Sequence, residues 1–309
     1  MINARRVQIL PENLNKFVRE IGHALRDLYG TEAETAYTGS AAASYARLIR
    51  QPEVDLWTCG PTETPGLLMT VVRRGVAHLT LLHVLEGESG KGVEEALLNA
   101  ATSYLRHEGV RAIIGEFVRY RALTIEQSMW KLNFSRFNRR LMIADLSDPR
   151  LAAEAPPTTV PCGARDAMAA NVLVEAYREH PSRDLHPEAH DKSSATSFFE
   201  GFRAGGYGAT TSAFYRMQRE RDSCVGIIAG AEAAPGVGFI LHVATSPSAQ
   251  CAGVGTQLIR ELAAEFRRYG YKRIALGVTC GNPAERLYER LGFRDLLPVE
   301  TYAWWAPQD

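Results

Sequence analysis

The sequence predicts a mixed α/β protein built as two tandem domains. Three observations predict it. The chain has 309 residues, enough for two domains of ordinary size. A strand–turn–helix unit occurs twice, with Gly92 161 positions before Gly253 (253 − 92) and Phe134 159 positions before Phe293 (293 − 134). A repeat this long marks a duplicated domain, not a solenoid. Finally, a stretch rich in Pro and small residues, Leu146 to Thr159, separates the two copies.

In the first copy, Val76 to Leu85 is an apolar run of strand character, and Glu88 to Leu98 turns into a helix that reaches about His107. Arg111 to Ile114 reads as the next strand. Met129 to Phe134 reads as the end of a helix, and Arg140 to Ala144 as the last strand. The linker falls at 147–158, which sets the domains at 1–146 and 159–309. Val160 to Ala164 opens the second copy. Its strand Gly238 to Val243 leads through a turn into a helix marked by Val254, Leu258, Leu262 and Phe266 at helical spacing. Lys272 to Thr279 is a second buried strand, followed by a helix beginning near Asn282 and ending before Phe293. In each domain the middle strands are expected to splay after 238–245 and its N-terminal counterpart.

The turn Gln250-Cys251-Ala252-Gly253-Val254-Gly255 places glycines 253 and 255 at the start of a helix. The first N–H groups of a helix lack internal partners and lie at its positive end, so such a turn suits phosphate. Alone, the pattern also fits an empty strand-to-helix turn. The downstream Asn282-Pro-Ala-Glu-Arg-Leu-Tyr288-Glu-Arg-Leu-Gly-Phe293 makes it specific. The Q-x-x-G-x-G turn, followed about thirty residues later by N-x-A-x-x-L-Y-x-x-L-G-F, resembles the GNAT superfamily of N-acetyltransferases. The resemblance covers roughly 159–306, with its specific part at 238–293. A worn N-terminal copy before an intact C-terminal one is similar, in layout only, to mycothiol synthases.

The resemblance implies that each domain is a mixed, mostly antiparallel central sheet flanked by helices, and that the cosubstrate is acetyl-CoA. It places Gln250, Cys251, Ala252, Gly253, Val254, Gly255 and Thr256 at the coenzyme pyrophosphate. Cys251 and Ala252 stand where the family often has glycine and a basic residue. Cys251, at a helix N-terminus, is a candidate activated thiol or a small space-filler. Val243, Ala244 and Thr245 are implied to pair their backbone with the pantetheine arm and stabilise the thioester oxyanion. Asn282 is an N-cap and a pantetheine ligand. Tyr288 is the general acid for the departing thiolate or, on the plainer reading, a core tyrosine; a phenol near pKa 10 suits a thiol near 8.5. Counting back from Gln250, the family's carboxylate base position is Phe239, which cannot serve. His242 is the nearby candidate base. Strand alternation points it away from the face of Phe239 and Leu241 unless a bulge intervenes, and a satisfied core histidine is the alternative. Other proton acceptors lie in Glu175 to His190, which carries three histidines and several carboxylates, shows no metal-ligand spacing and reads as substrate contacts or a lid; a water-relayed base is a further alternative.

The first copy has lost this chemistry. Glu94 stands where the second has Gly255; Leu123 matches Asn282, and Met129 matches Tyr288. The packing residues Leu132 and Phe134 remain. The expectation is one coenzyme site per chain, with the N-terminal copy a scaffold.

Basic and acidic side chains balance at 35 each, which argues against nucleic-acid or anionic-membrane surfaces. No apolar run approaches the roughly 20 residues that span a bilayer. The N-terminal sequence lacks the apolar core of a secretory signal. Five widely spaced cysteines indicate neither a disulfide framework nor a zinc site, and a cytoplasmic location is expected. The leading function is transfer of an acetyl group to a primary amine of a small molecule or peptide by direct attack. The alternatives are a non-catalytic acyl-CoA-binding or regulatory module, and an aminoacyl- or other acyltransferase on paired domains.

Overall fold

The computed structural model describes residues 2–60, 62–118, 125–152, 157–163 and 165–307. Within them the elements run β1 (Ala4–Val7), α1 (Leu14–Tyr29), α2 (Thr31–Leu48), β2 (Val54–Cys59), β3 (Gly66–Arg73), β4 (Val76–Val84), α3 (Val93–His107), β5 (Ala112–Val118), α4 (Glu126–Lys131), β6 (Ser135–Asp145) and β7 (Thr159–Pro161). They continue with α5 (Asp166–Tyr177), α6 (Lys192–Arg203), β8 (Tyr215–Glu220), β9 (Ser223–Ala234), β10 (Val237–Thr245), α7 (Val254–Arg268), β11 (Arg273–Thr279), α8 (Glu285–Arg290) and β12 (Arg294–Trp305). The chain forms two compact units, Met1–Asn138 with Leu297–Asp309, and Arg139–Leu296.

The first unit holds strands in the order β1-β2-β3-β4-β5-β12, antiparallel except for β4 and β5. The second holds β6-β11-β10-β9-β8-β7, antiparallel except for β10 and β11. Both are thus mixed, mostly antiparallel sheets with helices on their faces. The sequence repeat and the compact units divide the chain at different places. From Arg139 on, β6 pairs with β11 of the second unit, and from Val299 on, β12 pairs with β5 of the first. Residues 153–156 of the expected linker, and Ala164 at the expected end of β7, lie outside the described residues. Within the linker stretch, Asp148 caps a short 3₁₀ turn and Leu151 is buried in the second unit's core.

Helical spacing explains the core of the second unit. Val254, Leu258, Leu262 and Phe266 form one buried face of α7, packed on Ile228, Ile240, Ile274 and Leu276. Gly238 lets Phe266 lie flat on β10, since a Cβ there would come within 2.5 Å of the ring. On the opposite face, Leu173 of α5 and Phe198, Phe199 and Phe202 of α6 pack on Tyr215, Met217 and Ile227. One buried polar network ties β7 to α7. The Glu261 carboxylate accepts hydrogen bonds from the Thr158 and Thr159 amides and from Arg216 at 3.2 Å. No described helix is long and apolar enough to cross a membrane.

The sheet of the second unit splits where the site lies. The parallel register of β10 with β11 covers only Val237–Ile240 against Arg273–Leu276. Beyond it β10 continues along β9 to Thr245, and β11 continues along β6 to Thr279. The strands therefore separate after Ile240, inside the segment after which the splay was expected. The first unit repeats the device, with β4 and β5 paired from Val76 to Leu79 and separating beyond.

Candidate active site

The cleft between β10 and β11 opens into a cavity of about 510 Å³ in the second unit. Its wall on one side is Leu241 to Thr245, whose backbone is bonded to β9 along one edge and released by β11 along the other. An exposed strand edge of this kind can take an extended ligand as an added strand. At its end lies the Gln250–Gly255 turn, where Gln250, Cys251, Gly253, Val254, Gly255 and Thr256 line the cavity. Ala252, assigned to the coenzyme by the sequence, is not among the lining residues.

The two glycines of this turn are there for different reasons. Gly253 is the N-cap of α7 at φ 85°, a left-handed conformation that favours glycine. Gly255 has no such backbone requirement, and a Cβ there would meet Leu287 at 3.4 Å and Thr245 Oγ1 at 3.8 Å. The fold tolerates a side chain at 255, so glycine there keeps the helix N-terminus open. Cys251, exposed, is held at φ 62°, a left-handed conformation that favours glycine.

The first unit shows the same turn closed. Gly92 caps α3 at φ 88° as Gly253 caps α7. Glu94 is buried at 1% exposure, and its carboxylate accepts from Ser89 Oγ at 2.5 Å and Gly90 N at 3.3 Å. An internal carboxylate thus takes up donors of the turn that leads into this helix. Met129, opposite Tyr288 in the repeat, is fully buried in the first unit's core; Leu123 lies outside the described residues.

Asn282 and Tyr288 both line the cavity. Asn282 Oδ1 accepts from the Ala284 amide at 2.9 Å, so it caps the chain into α8, whose assigned start at Glu285 lies two residues beyond Pro283. Its Nδ2 donates to His180 Nε2 at 3.1 Å, and His180 Nδ1 meets Ser182 Oγ at 2.8 Å. Burial pushes the Tyr288 phenol up to about 12, partly opposed by Arg139.

His242 departs from simple alternation. The register of β10 with β9 slips between Ile240 and His242, so Leu241 is an extra residue, a β-bulge. The bulge turns His242 onto the face that carries Leu241, beneath α5 and α6. There its ring meets Phe198 at 4.9 Å and Tyr177 at 5.8 Å between centroids. Its Nε2 lies 2.9 Å from Glu188 Oε1, and the same oxygen lies 3.1 Å from His186 Nδ1. Burial raises the Glu188 carboxyl, but hydrogen bonds from both imidazoles outweigh it and hold the group well below the usual carboxylate range. Burial lowers His186 and His180, favouring neutral rings. With Nε2–H donated to Glu188, His242 keeps an Nδ1 lone pair, and Nδ1 is buried with no protein partner.

The ligating atoms of His186, Glu188 and His242 lie within 4.8 Å of one another, close enough to hold a metal ion. A cation there would need the Nε2 lone pair and would leave an N–H on the partnerless Nδ1. A carboxylate held by two imidazoles, with the His242 lone pair left on Nδ1, needs no cation and suits these atoms better. Sequence reading reached His186 and Glu188 as acceptors within a substrate-contacting or lid segment, and gave the Tyr177 in that segment no role of its own. No spacing signal links 186–188 to 242, because the contact depends on the bulge.

Residues 173–293 match the model of the acetyltransferase (GNAT) family. The chain carries a GNAT-family domain. No curated protein matches the sequence significantly. Among solved structures, a GCN5-related N-acetyltransferase from Sphaerobacter thermophilus is 17% identical, with 99% of this chain and 96% of that chain covered and a TM-score of 0.70. A tandem GNAT protein from the clavulanic acid biosynthesis pathway is 15% identical over 100% of both chains, with a TM-score of 0.58. A glucosamine N-acetyltransferase region of a fungal multi-domain β-N-acetylglucosaminidase is 14% identical, covering 98% of this chain and 38% of that one, with a TM-score of 0.59. At these identities the likeness shows the fold. That likeness extends over the whole chain, and every residue lining the cavity except Arg139 lies within the matched residues.

Proposed function

We propose that the second unit is an N-acyltransferase that takes an acetyl group from acetyl-CoA and passes it to a primary amine by direct attack. The observation that carries this reading is the split between β10 and β11, which joins a free strand edge, an open helix N-terminus and Tyr288 in one cavity. The Gln250–Thr256 turn holds the pyrophosphate through main-chain N–H groups, Thr256 adding a hydroxyl. Val243, Ala244 and Thr245 align the pantetheine arm, Asn282 gives it a side-chain partner, and the strand amides receive the thioester oxygen. His242 Nδ1 takes a proton from the attacking amine as the C–N bond forms. Tyr288 gives its phenol proton to the sulfur as the C–S bond breaks. Glu188 holds His242 in the tautomer this requires.

The first unit supports the same reading by contrast. Glu94 fills its turn and Met129 replaces the acid, so one coenzyme per chain is the expected stoichiometry. The test is coenzyme-thiol release from acetyl-CoA across amines, peptides and amino sugars. Amine-dependent release supports acyl transfer. Tight coenzyme binding without release with any acceptor identifies a binding module instead.

A further inference from the structure

One segment of the chain reaches both sides of the split. It runs from Tyr177, at the end of α5, to His190. At Glu188 it meets His242 of β10 at 2.9 Å, on the side proposed for the base. At His180 it meets Asn282 at 3.1 Å, on the side proposed for the pantetheine arm. His180, Ser182 and Asn282 all line the cavity.

The contact between Asn282 and His180 has a direction. Asn282 Oδ1 is taken by the Ala284 amide at 2.9 Å, so the group facing His180 is Nδ2. A carboxamide nitrogen only donates, and His180 Nε2 therefore presents a lone pair. The ring proton is then on Nδ1, whose nearest partner is Ser182 Oγ at 2.8 Å, closer than the Ser182 amide at 3.2 Å. Burial lowers His180 and so favours the neutral ring that this arrangement needs. Tyr177 packs on the same ring, with centroids 5.0 Å apart. The Asn282 carboxamide is thus held at both ends. Turning it over would set Oδ1 against the Nε2 lone pair and N–H against N–H at Ala284. A carboxamide has two N–H groups and an oxygen with two lone pairs. His180 uses one N–H and Ala284 one lone pair, which leaves one of each for a ligand.

We propose that His180 is a positioning residue for the coenzyme: it fixes the Asn282 carboxamide in the orientation that pairs with the pantetheine arm. The inference rests on the coenzyme site of the acyltransferase reading and adds to it a residue that acts through Asn282. The arm is built of amides, each of which offers a donor and an acceptor, and the free N–H and lone pair of Asn282 match one of them. Without His180 only the Ala284 bond orients the side chain, and the ordering falls to the ligand when it binds. The same contact ties the coenzyme side of the cavity to the segment that carries Glu188.

The experiment is calorimetry with acetyl-CoA, with no acceptor present, on the wild type, His180→Phe, Asn282→Ala and the double variant. His180→Phe keeps a ring against Tyr177 and removes the acceptor nitrogen. It should weaken acetyl-CoA binding about 3- to 10-fold, the worth of one oriented hydrogen bond. In the Asn282→Ala background the same change should have no further effect, because the group it orients is gone. His180→Gln, which can set a side-chain oxygen near the place of Nε2, should recover most of the affinity. A merely structural role would weaken binding equally with and without Asn282. Circular dichroism checks folding, and His180→Ala repeats the cycle if the larger ring fails to fold. Unchanged affinity on removing the imidazole, equal losses in both backgrounds, or no recovery with His180→Gln overturns the proposal and leaves the acyltransferase reading standing. A wild-type protein that does not bind acetyl-CoA removes both.

Discussion

His242 Nε2 lies 2.9 Å from Glu188 Oε1, and the contact exists because β10 carries one extra residue, Leu241. A regular strand would turn the imidazole toward α7 and away from Glu188. Glu188→Gln keeps the shape and removes the negative charge that both imidazoles share. The expected result is a fall in kcat of about 10²-fold, the low end of a general-base contribution, with acetyl-CoA affinity nearly unchanged. Steady-state kinetics beside calorimetry check it. A change confined to melting temperature would make Glu188 a structural group only.

Tyr288→Phe removes one hydroxyl and keeps the ring that packs on Phe293. With chemistry rate-limiting, kcat should fall by about 10²-fold or more while coenzyme binding holds. The loss should shrink for acyl donors with more acidic thiols. An acid works while protonated, and burial places this phenol at about 12. Between pH 7 and 10, therefore, deprotonation of Tyr288 should contribute no fall in rate, which a pH–rate profile of the wild-type protein reads directly.

Gly255→Glu copies the group already present at Glu94, whose carboxylate accepts hydrogen bonds from Ser89 and Gly90. Because the fold leaves room for a Cβ at 255, the variant should fold and lose the coenzyme through the misplaced carboxylate. Calorimetry should find one site in the wild type and none in the variant. Two equivalent wild-type sites would contradict the scaffold role of the first unit.

Acid should unfold the second unit through its buried carboxylates. Glu261 lies below the ordinary glutamate range: burial raises it, and hydrogen bonds from Thr159, Gln257 and Thr158 outweigh that. Glu188 lies further below. For groups depressed in the folded state, the stabilisation is fully present above the unfolded value and is lost as pH falls through the folded one. Stability should therefore hold above roughly pH 5 and decline below it. Glu261→Gln removes the 3.2 Å ion pair with buried Arg216 but leaves that arginine paired with Glu265 at 3.2 Å, so the expected cost is about 1–3 kcal/mol in a denaturant titration at neutral pH.

What could be read from sequence was local. The 3.6-residue spacing of Val254, Leu258, Leu262 and Phe266 and the turn before them are properties of adjacent residues, and α7 follows from them. Asn282 and Tyr288 belong to one contiguous motif. The rest depends on pairing between distant segments. Nothing in Ile240-Leu241-His242 announces a bulge, since no glycine or proline marks it. Arg139 sits on a strand that the repeat assigns to the first copy and whose partner, β11, is in the second unit. Glu188 reaches His242 only after the 3₁₀ turn at Pro187–Ala189 is folded beneath α6.

The most direct test of acyl transfer at this cavity is product analysis. Isotope-labelled acetyl-CoA is incubated with the best acceptor amine, and free thiol and acylated amine are quantified together by mass spectrometry. Acyl transfer predicts label on the acceptor nitrogen in one-to-one ratio with thiol released, and a parallel loss of both in Tyr288→Phe. Thiol released without acylated amine would show thioester hydrolysis, and bound coenzyme without released thiol would show a binding module; either would contradict the account.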